Sequence, residues 1–209
     1  MPRVYRGYTR AFRRLLHAGF LGEVISARLR ISHDGARRTE AHPEGWLTPA
    51  FLGKAGTGGG VLIDLGAHPL YVAAHLFGEP LSVRAMLGFG TGREVEDNAV
   101  FLLDYPGGVA VRCKASFVAP YSFSIEAFGS LGHLAYRETL AERAYQHSLL
   151  RRWSELDLDM SEREPFDVWL EAIPAGLRFK EQATLACTLA RLTELGYASH
   201  QARRELPFA

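Results

Sequence analysis

The sequence predicts an α+β fold, with a mainly antiparallel β-sheet, helices packed on one face and the other face left open. Three observations carry that expectation. Runs with two-residue alternation follow one another through the middle of the chain, at 81–89, 97–105 and 109–118. The second and third are joined by Pro106-Gly107-Gly108, a turn that makes them a hairpin. Apolar residues at helical spacing appear near the N-terminus, from 61 to 77, and again toward the C-terminus.

Phe12, Leu15, Leu16 and Phe20 recur at helical spacing and Gly19 suits a C-cap, so the chain opens on an amphipathic helix. Arg3, Arg6, Arg10, Arg13 and Arg14 all precede the first acid, Glu23. A transit peptide shares that composition, but the helical spacing reads the arginines as a solvated face. Residues 24–32, "VISARLRIS", read as a strand, and the polar "HDGARRTEAHPEGW" as a long loop. The glycine-rich "GKAGTGGG" then leads into an apolar helix from about Val61, ended by Gly78 and Pro80. Gly58, Gly59 and Gly60 let backbone or a ligand approach closely.

"GFGTG" at 88–92 is a turn before the second strand of the series. In the third, Val109, Val111, Cys113, Ala115 and Phe117 alternate with Ala110, Arg112, Lys114 and Ser116. Tyr121, Phe123 and Ile125 alternate in turn with Ser122, Ser124 and Glu126. One sheet face is therefore apolar and the other mixed. Helices are expected near 164–173 and 180–197.

A chain of 209 residues, 47% of them hydrophobic, can bury a proper core, and residues 1–209 are expected to form one domain. The net charge of +1 supplies no whole-molecule field for nucleic acid or an anionic membrane, and neither is expected as a partner. Cys113 and Cys187 lie far apart with no CxxC spacing, which reads as two buried thiols in a reducing, cytoplasmic setting. No apolar run approaches the roughly 18 residues needed to span a bilayer.

Within the apolar "GGGVLIDLGAHPL" an Asp and a His stand four positions apart. On a regular helix Asp64 and His68 share one face, and Tyr71 and His75 continue the stripe. Such a pair serves either as a mutually satisfied structural hydrogen bond or as a site in which Asp64 orients a His68 base. A cation shared with His33, His42 or His75 lacks any further ligand spacing, and no metal site is predicted. Neither a strand-GxGxxG-helix unit nor a Walker A loop is present, so the chain alone is expected to bind neither NAD nor NADP.

The run "GGGVLIDLGAHPLYVAAHLFGEP" resembles the GGGxxxDxGxHxxDxxxxLxG motif of the glucose-fructose oxidoreductase, inositol dehydrogenase and MocA family of NAD(P)-dependent oxidoreductases. "LLHAGFLGEVISARLR", Gly45-Trp46, "DNAVFLLDYPGGVAVRCKASF" and "FSIEAFGSLGHLAYRE" resemble the family's other segments, from about residue 10 to the end. The resemblance implies the second, C-terminal domain of a two-domain enzyme, the substrate and oligomerisation half. Met1 stands where the cofactor domain of a member would be ending, which makes the chain a truncated form on this reading. The first domain's glycine fingerprint and its catalytic lysine are not in this sequence.

By similarity His68 and Asp64 are then the catalytic pair and Trp46 the family's pre-motif tryptophan; from their places in the loop and the motif, His33, His42 and Trp46, with Tyr71, are expected to line the substrate cleft. Tyr71 stands where the family motif often carries an Asp that contacts polyol hydroxyls, so the substrate contact is altered. The implied activity is that of the substrate-binding half of an oxidoreductase acting on a sugar or polyol-like hydroxyl, inactive alone. NAD or NADP is implied for a full-length member, with a Rossmann domain as a partner in trans. The implied assembly is a homo-oligomer through the open sheet face. The alternative is a cofactor-free module that oligomerises or binds a small molecule.

Overall fold

The structure is a computed structural model and describes residues 1–138, 143–149, 152–154, 164–174, 176 and 179–208. After a 3-10 turn at Pro2–Tyr5 come helix α1 (Gly7–His17) and strand β1 (Val24–Ser32). A long loop and a short helix α2 (Lys54–Thr57) lead to helix α3 (Ala67–Phe77). Seven strands follow: β2 (Ser82–Gly88), β3 (Asn98–Tyr105), β4 (Val109–Ser116), β5 (Ser122–Gly129), β6 (His133–Glu138), β7 (Arg143–Leu149) and β8 (Arg152–Ser154). Helices α4 (Pro165–Ala172) and α5 (Lys180–Ala202) and a short β9 (Leu206–Pro207) complete the described chain.

The strands form one sheet in the order β8-β7-β6-β5-β1-β4-β3-β2-β9. Every pairing is antiparallel except β1 with β4, where Ala27 meets Val111 and Leu29 meets Cys113. That parallel pair needs a crossover, and the segment carrying α2 and α3 supplies it over the apolar face. The Pro106-Gly107-Gly108 turn closes the β3–β4 hairpin as its chemistry predicts, with Tyr105 opposite Val109.

Alternation sorts the sheet's two faces. Ala27, Leu29, Ile31, Phe101, Leu103, Val111, Cys113, Phe123 and Ile125 are buried beneath the helices. Each fully buried Leu, Ile or Phe contributes roughly 1.5–3 kcal/mol of hydrophobic stabilisation. On the other face Arg28, Leu102, Asp104, Ala110, Arg112 and Lys114 are exposed. Ser116 sits on that face but is buried, because residues 118–121 fold over its end and its hydroxyl accepts a hydrogen bond from the Val118 amide at 3.2 Å.

α3 is apolar nearly all round because it lies between the sheet and α5, with Leu70, Val72 and Ala73 fully enclosed. The stretch Lys54–Phe77 is long and apolar enough to cross a membrane by length and composition, contrary to the sequence reading, but most of it is buried inside the fold. Cys187 is exposed rather than buried, since α5 turns that position outward, whereas Cys113 lies in the core.

Candidate functional site

The segment that carries Asp64 and His68 is not one regular helix. Leu62–Gly66 is a π-helical turn, closed by the Gly66 amide donating to the Val61 carbonyl at 2.7 Å, and α3 starts only after it. A π-turn holds an extra residue per turn, which rotates everything before it relative to everything after. Pro69 is part of the reason. It brings no N–H to the Leu65 carbonyl and so removes one bond of a regular helical ladder at this place.

The turn is anchored at its start by a residue that the sequence reading passed over. Glu96 is 2% exposed, and its Oε1 accepts from the Gly60 amide at 3.0 Å, the Leu62 amide at 3.1 Å and the Tyr197 hydroxyl at 2.8 Å. A carboxylate there satisfies donors that a helix start leaves open. The glycines are now explained: a Cβ on Gly60 would overlap the Glu96 backbone, and one on Gly59 would overlap the Tyr197 hydroxyl. Their close approach is to protein. Glu96 was legible only as an acid entering an apolar strand.

The rotation separates the predicted pair. No hydrogen bond or ion pair joins Asp64 to His68 among the described residues; Asp64 instead faces His33, and each influences the other's charge. Burial raises the Asp64 pKa, and the His33 partner opposes that rise. His33 stacks on Phe117 with ring centres 5.1 Å apart, meets Trp46 at 4.8 Å, and accepts the Gly35 amide on Nδ1 at 3.0 Å. Trp46 donates its indole N–H to Asp34 at 3.0 Å. His33, Trp46 and Asp64 thus form one cluster, and His68, expected beside Asp64, is not in it.

Tyr71 and His75 point a third way, toward α1 and the start of α5. The Tyr71 hydroxyl donates to the Gln182 carbonyl at 3.4 Å, and His75 lies between Arg13 and Glu181, which pair with each other at 2.7 Å. Burial lowers the His75 pKa, and Arg13 adds to the effect. The four-residue stripe read from a regular helix is therefore spread over three environments.

His68 lines a cavity of about 380 Å³ with Arg3, Arg6, Tyr8, Tyr121 and Glu138. Its Nδ1 is buried and has no hydrogen-bond partner among the described residues. Burial, reinforced by the nearby Arg3 guanidinium, lowers its pKa to about 4, so the ring is neutral at pH 7. Arg3, expected on a solvated face from its place among the N-terminal arginines, is instead drawn into the cavity. It turns inward from the Pro2–Tyr5 turn, donates to the Tyr8 hydroxyl at 3.0 Å and stands 3.9 Å above the Phe123 ring. Tyr121 lies against the same guanidinium. Glu138 at the cavity's edge accepts the Tyr121 hydroxyl at 2.9 Å and the Tyr136 hydroxyl at 2.6 Å. Among the described residues no group of three or more His, Cys, Asp or Glu side chains gathers to hold a metal ion.

A neutral imidazole that lines a cavity can accept a proton from a bound hydroxyl. A dinucleotide asks for more: a Gly-rich turn between a strand and a helix to receive the pyrophosphate. The described residues contain no such unit, so they do not fit the whole cofactor.

A sequence model described as the GFO/IDH/MocA C-terminal domain matches residues 9–135. No curated protein matches the sequence. Among solved structures the chain is similar to the aldose-aldose oxidoreductase from Caulobacter crescentus complexed with glycerol, at 22% identity and a TM-score of 0.78, covering 98% of this chain and 61% of that one. It is also similar to an oxidoreductase from Agrobacterium radiobacter in complex with NAD+, L-tartaric acid and magnesium, at 17% identity and a TM-score of 0.73, covering 98% and 63%. A levoglucosan dehydrogenase complexed with NADH and L-sorbose matches at 15% identity and a TM-score of 0.70, covering 95% and 62%. At these identities the likeness is one of fold, and the chain spans less than two thirds of the length of each.

Proposed function

Since this chain belongs to the GFO/IDH/MocA family as a C-terminal domain, we propose that it forms the substrate half of an NAD(P)-dependent oxidoreductase acting on a sugar or polyol-like hydroxyl. The observation that carries the reading is His68, which lines a 380 Å³ cavity while its Nδ1 is buried without a hydrogen-bond partner. Buried polar atoms are nearly always hydrogen-bonded, and an exception at a cavity is where a ligand hydroxyl is received. His68 accepts the hydroxyl proton as that group is oxidised, which requires it to be neutral first, as burial makes it. Tyr8 and Tyr121 supply further hydroxyl groups along the same wall. Dinucleotide chemistry belongs to a separate Rossmann domain, on the same polypeptide or in trans. Two of the solved relatives hold NAD+ or NADH, and all three hold small polyhydroxylated molecules, which supports both halves of the reading.

The cluster of His33, Trp46 and Asp64 serves as a second wall of the cleft, with Asp64 acting on His33 rather than on His68. On the same reading a second copy covers the open sheet face. That face carries Arg30, Lys114 and Arg137 around Glu126, and Arg28, Arg84 and Arg112 beside Asp104 and Glu205. A two-fold axis through that face can set Arg112 or Lys114 of one copy against Glu126 of the other.

Titrating the purified chain with a panel of polyols and aldoses tests the substrate reading. The His68 imidazole signals in a ¹⁵N NMR spectrum are expected to move in wild type, and His68→Gln is expected to weaken the binding. Polyols that bind without touching the His68 signals contradict it.

A further inference from the structure

We propose that the cavity beside His68 takes an anionic substrate, a polyol-type hydroxy acid whose carboxylate is held by the Arg3 guanidinium while its hydroxyl meets His68. The proposal rests on the substrate-half reading of His68 and names the substrate class of that site.

The charged side chains lining the cavity are Arg3, Arg6 and Glu138. Arg6 has a carboxylate partner, with Glu164 at 3.0 Å. Both Glu138 oxygens already accept tyrosine hydroxyls. Arg3 differs. Its partners among the described residues are the phenols of Tyr8 and Tyr121 and the face of Phe123, and none of these is a carboxylate. A partly buried guanidinium with no carboxylate partner is costly unless something else neutralises it. Its planar fork of N–H donors fits a carboxylate in two parallel hydrogen bonds. The ring beneath it and the two phenols fix its direction, so the fork is held in place before any ligand arrives.

Position adds a second consequence. Arg3 opposes protonation of His68, and a carboxylate seated on Arg3 cancels that field. His68 therefore becomes a stronger base when the anion is bound, and a neutral polyol has no such effect. The acid group both anchors the substrate and tunes the group that receives its proton.

Calorimetry on the intact chain compares D-gluconate with its neutral counterpart D-glucitol, in wild type, Arg3→Gln and Arg3→Lys. Gluconate is expected to bind about tenfold or more tightly than glucitol, the size of a charge-assisted pair. That preference is expected to vanish in Arg3→Gln and partly survive in Arg3→Lys. In NMR titrations the His68 pKa is expected to rise with gluconate and stay in place with glucitol. If Arg3→Gln does not fold, the wild-type affinity for gluconate must fall with added salt while that for glucitol does not.

Equal affinity for the two ligands, gluconate binding indifferent to Arg3, or no binding of either overturns the proposal. The two readings fail separately. Glucitol bound at His68 with no gluconate preference removes only the anion. Gluconate bound through Arg3 with the His68 signals unmoved removes the substrate-half reading.

Discussion

His68 titrates far below an ordinary histidine because its ring is buried and Arg3 is near. The expected readout is an imidazole midpoint near pH 4 by NMR, and a midpoint near 6.5 contradicts the burial argument. The same shift makes stability depend on pH. The folded state holds its proton less tightly than the unfolded chain, so this contribution is complete above about pH 6.5 and is lost as pH falls through about 4. Wild type should therefore lose more stability than His68→Gln over that interval, measured as urea midpoints. The residue pairings were the least legible part of the sequence. Asp64 and His68 stood out as types, and His33 and Trp46 did come together with Asp64. Which partner each took depended on a backbone irregularity, and Arg3 looked like one more surface arginine.

At the scale of elements, the π-turn at Leu62–Gly66 and its Glu96 anchor decide how the two halves of the motif face. Glu96→Ala strands two buried amides and a tyrosine hydroxyl, and is expected to cost at least about 2 kcal/mol in chemical denaturation. Gly60→Ala pushes a methyl group into the Glu96 backbone and is expected to cost about 1–3 kcal/mol. Either variant should also disturb the His68 NMR signals, since both residues hold the start of the turn. Most elements were legible. The alternation around Val111 and Phe123 fixed which faces are buried, and the Pro106-Gly107-Gly108 turn fixed a register. The π-turn was not, because the apolar spacing from 61 to 77 reads equally well as one unbroken helix. Only Pro69 pointed to a missing helical bond.

For the whole molecule, the mixed face of a nine-stranded sheet is the surface proposed to meet a second copy. Arg28 lies beside Arg112, and Arg30 beside Lys114, so like charges are neighbours across β1 and β4 and gain from an acidic partner. Sedimentation equilibrium at micromolar concentration should find a dimer that Arg112→Glu with Lys114→Glu dissociates, and a species of 23.2 kDa that never self-associates contradicts it. The α+β architecture was readable because alternation and turn chemistry act locally. The parallel pairing of β1 with β4 was not, because the strands lie far apart in sequence and only packing joins them. Whether His68 receives a substrate hydroxyl is tested most directly by a crystal structure of the chain grown with a polyol. A ligand hydroxyl is expected about 2.6–3.2 Å from a His68 ring nitrogen, inside the cavity shared with Arg3 and Tyr121. A polyol bound only elsewhere, with the His68 Nδ1 still unbonded, would contradict it.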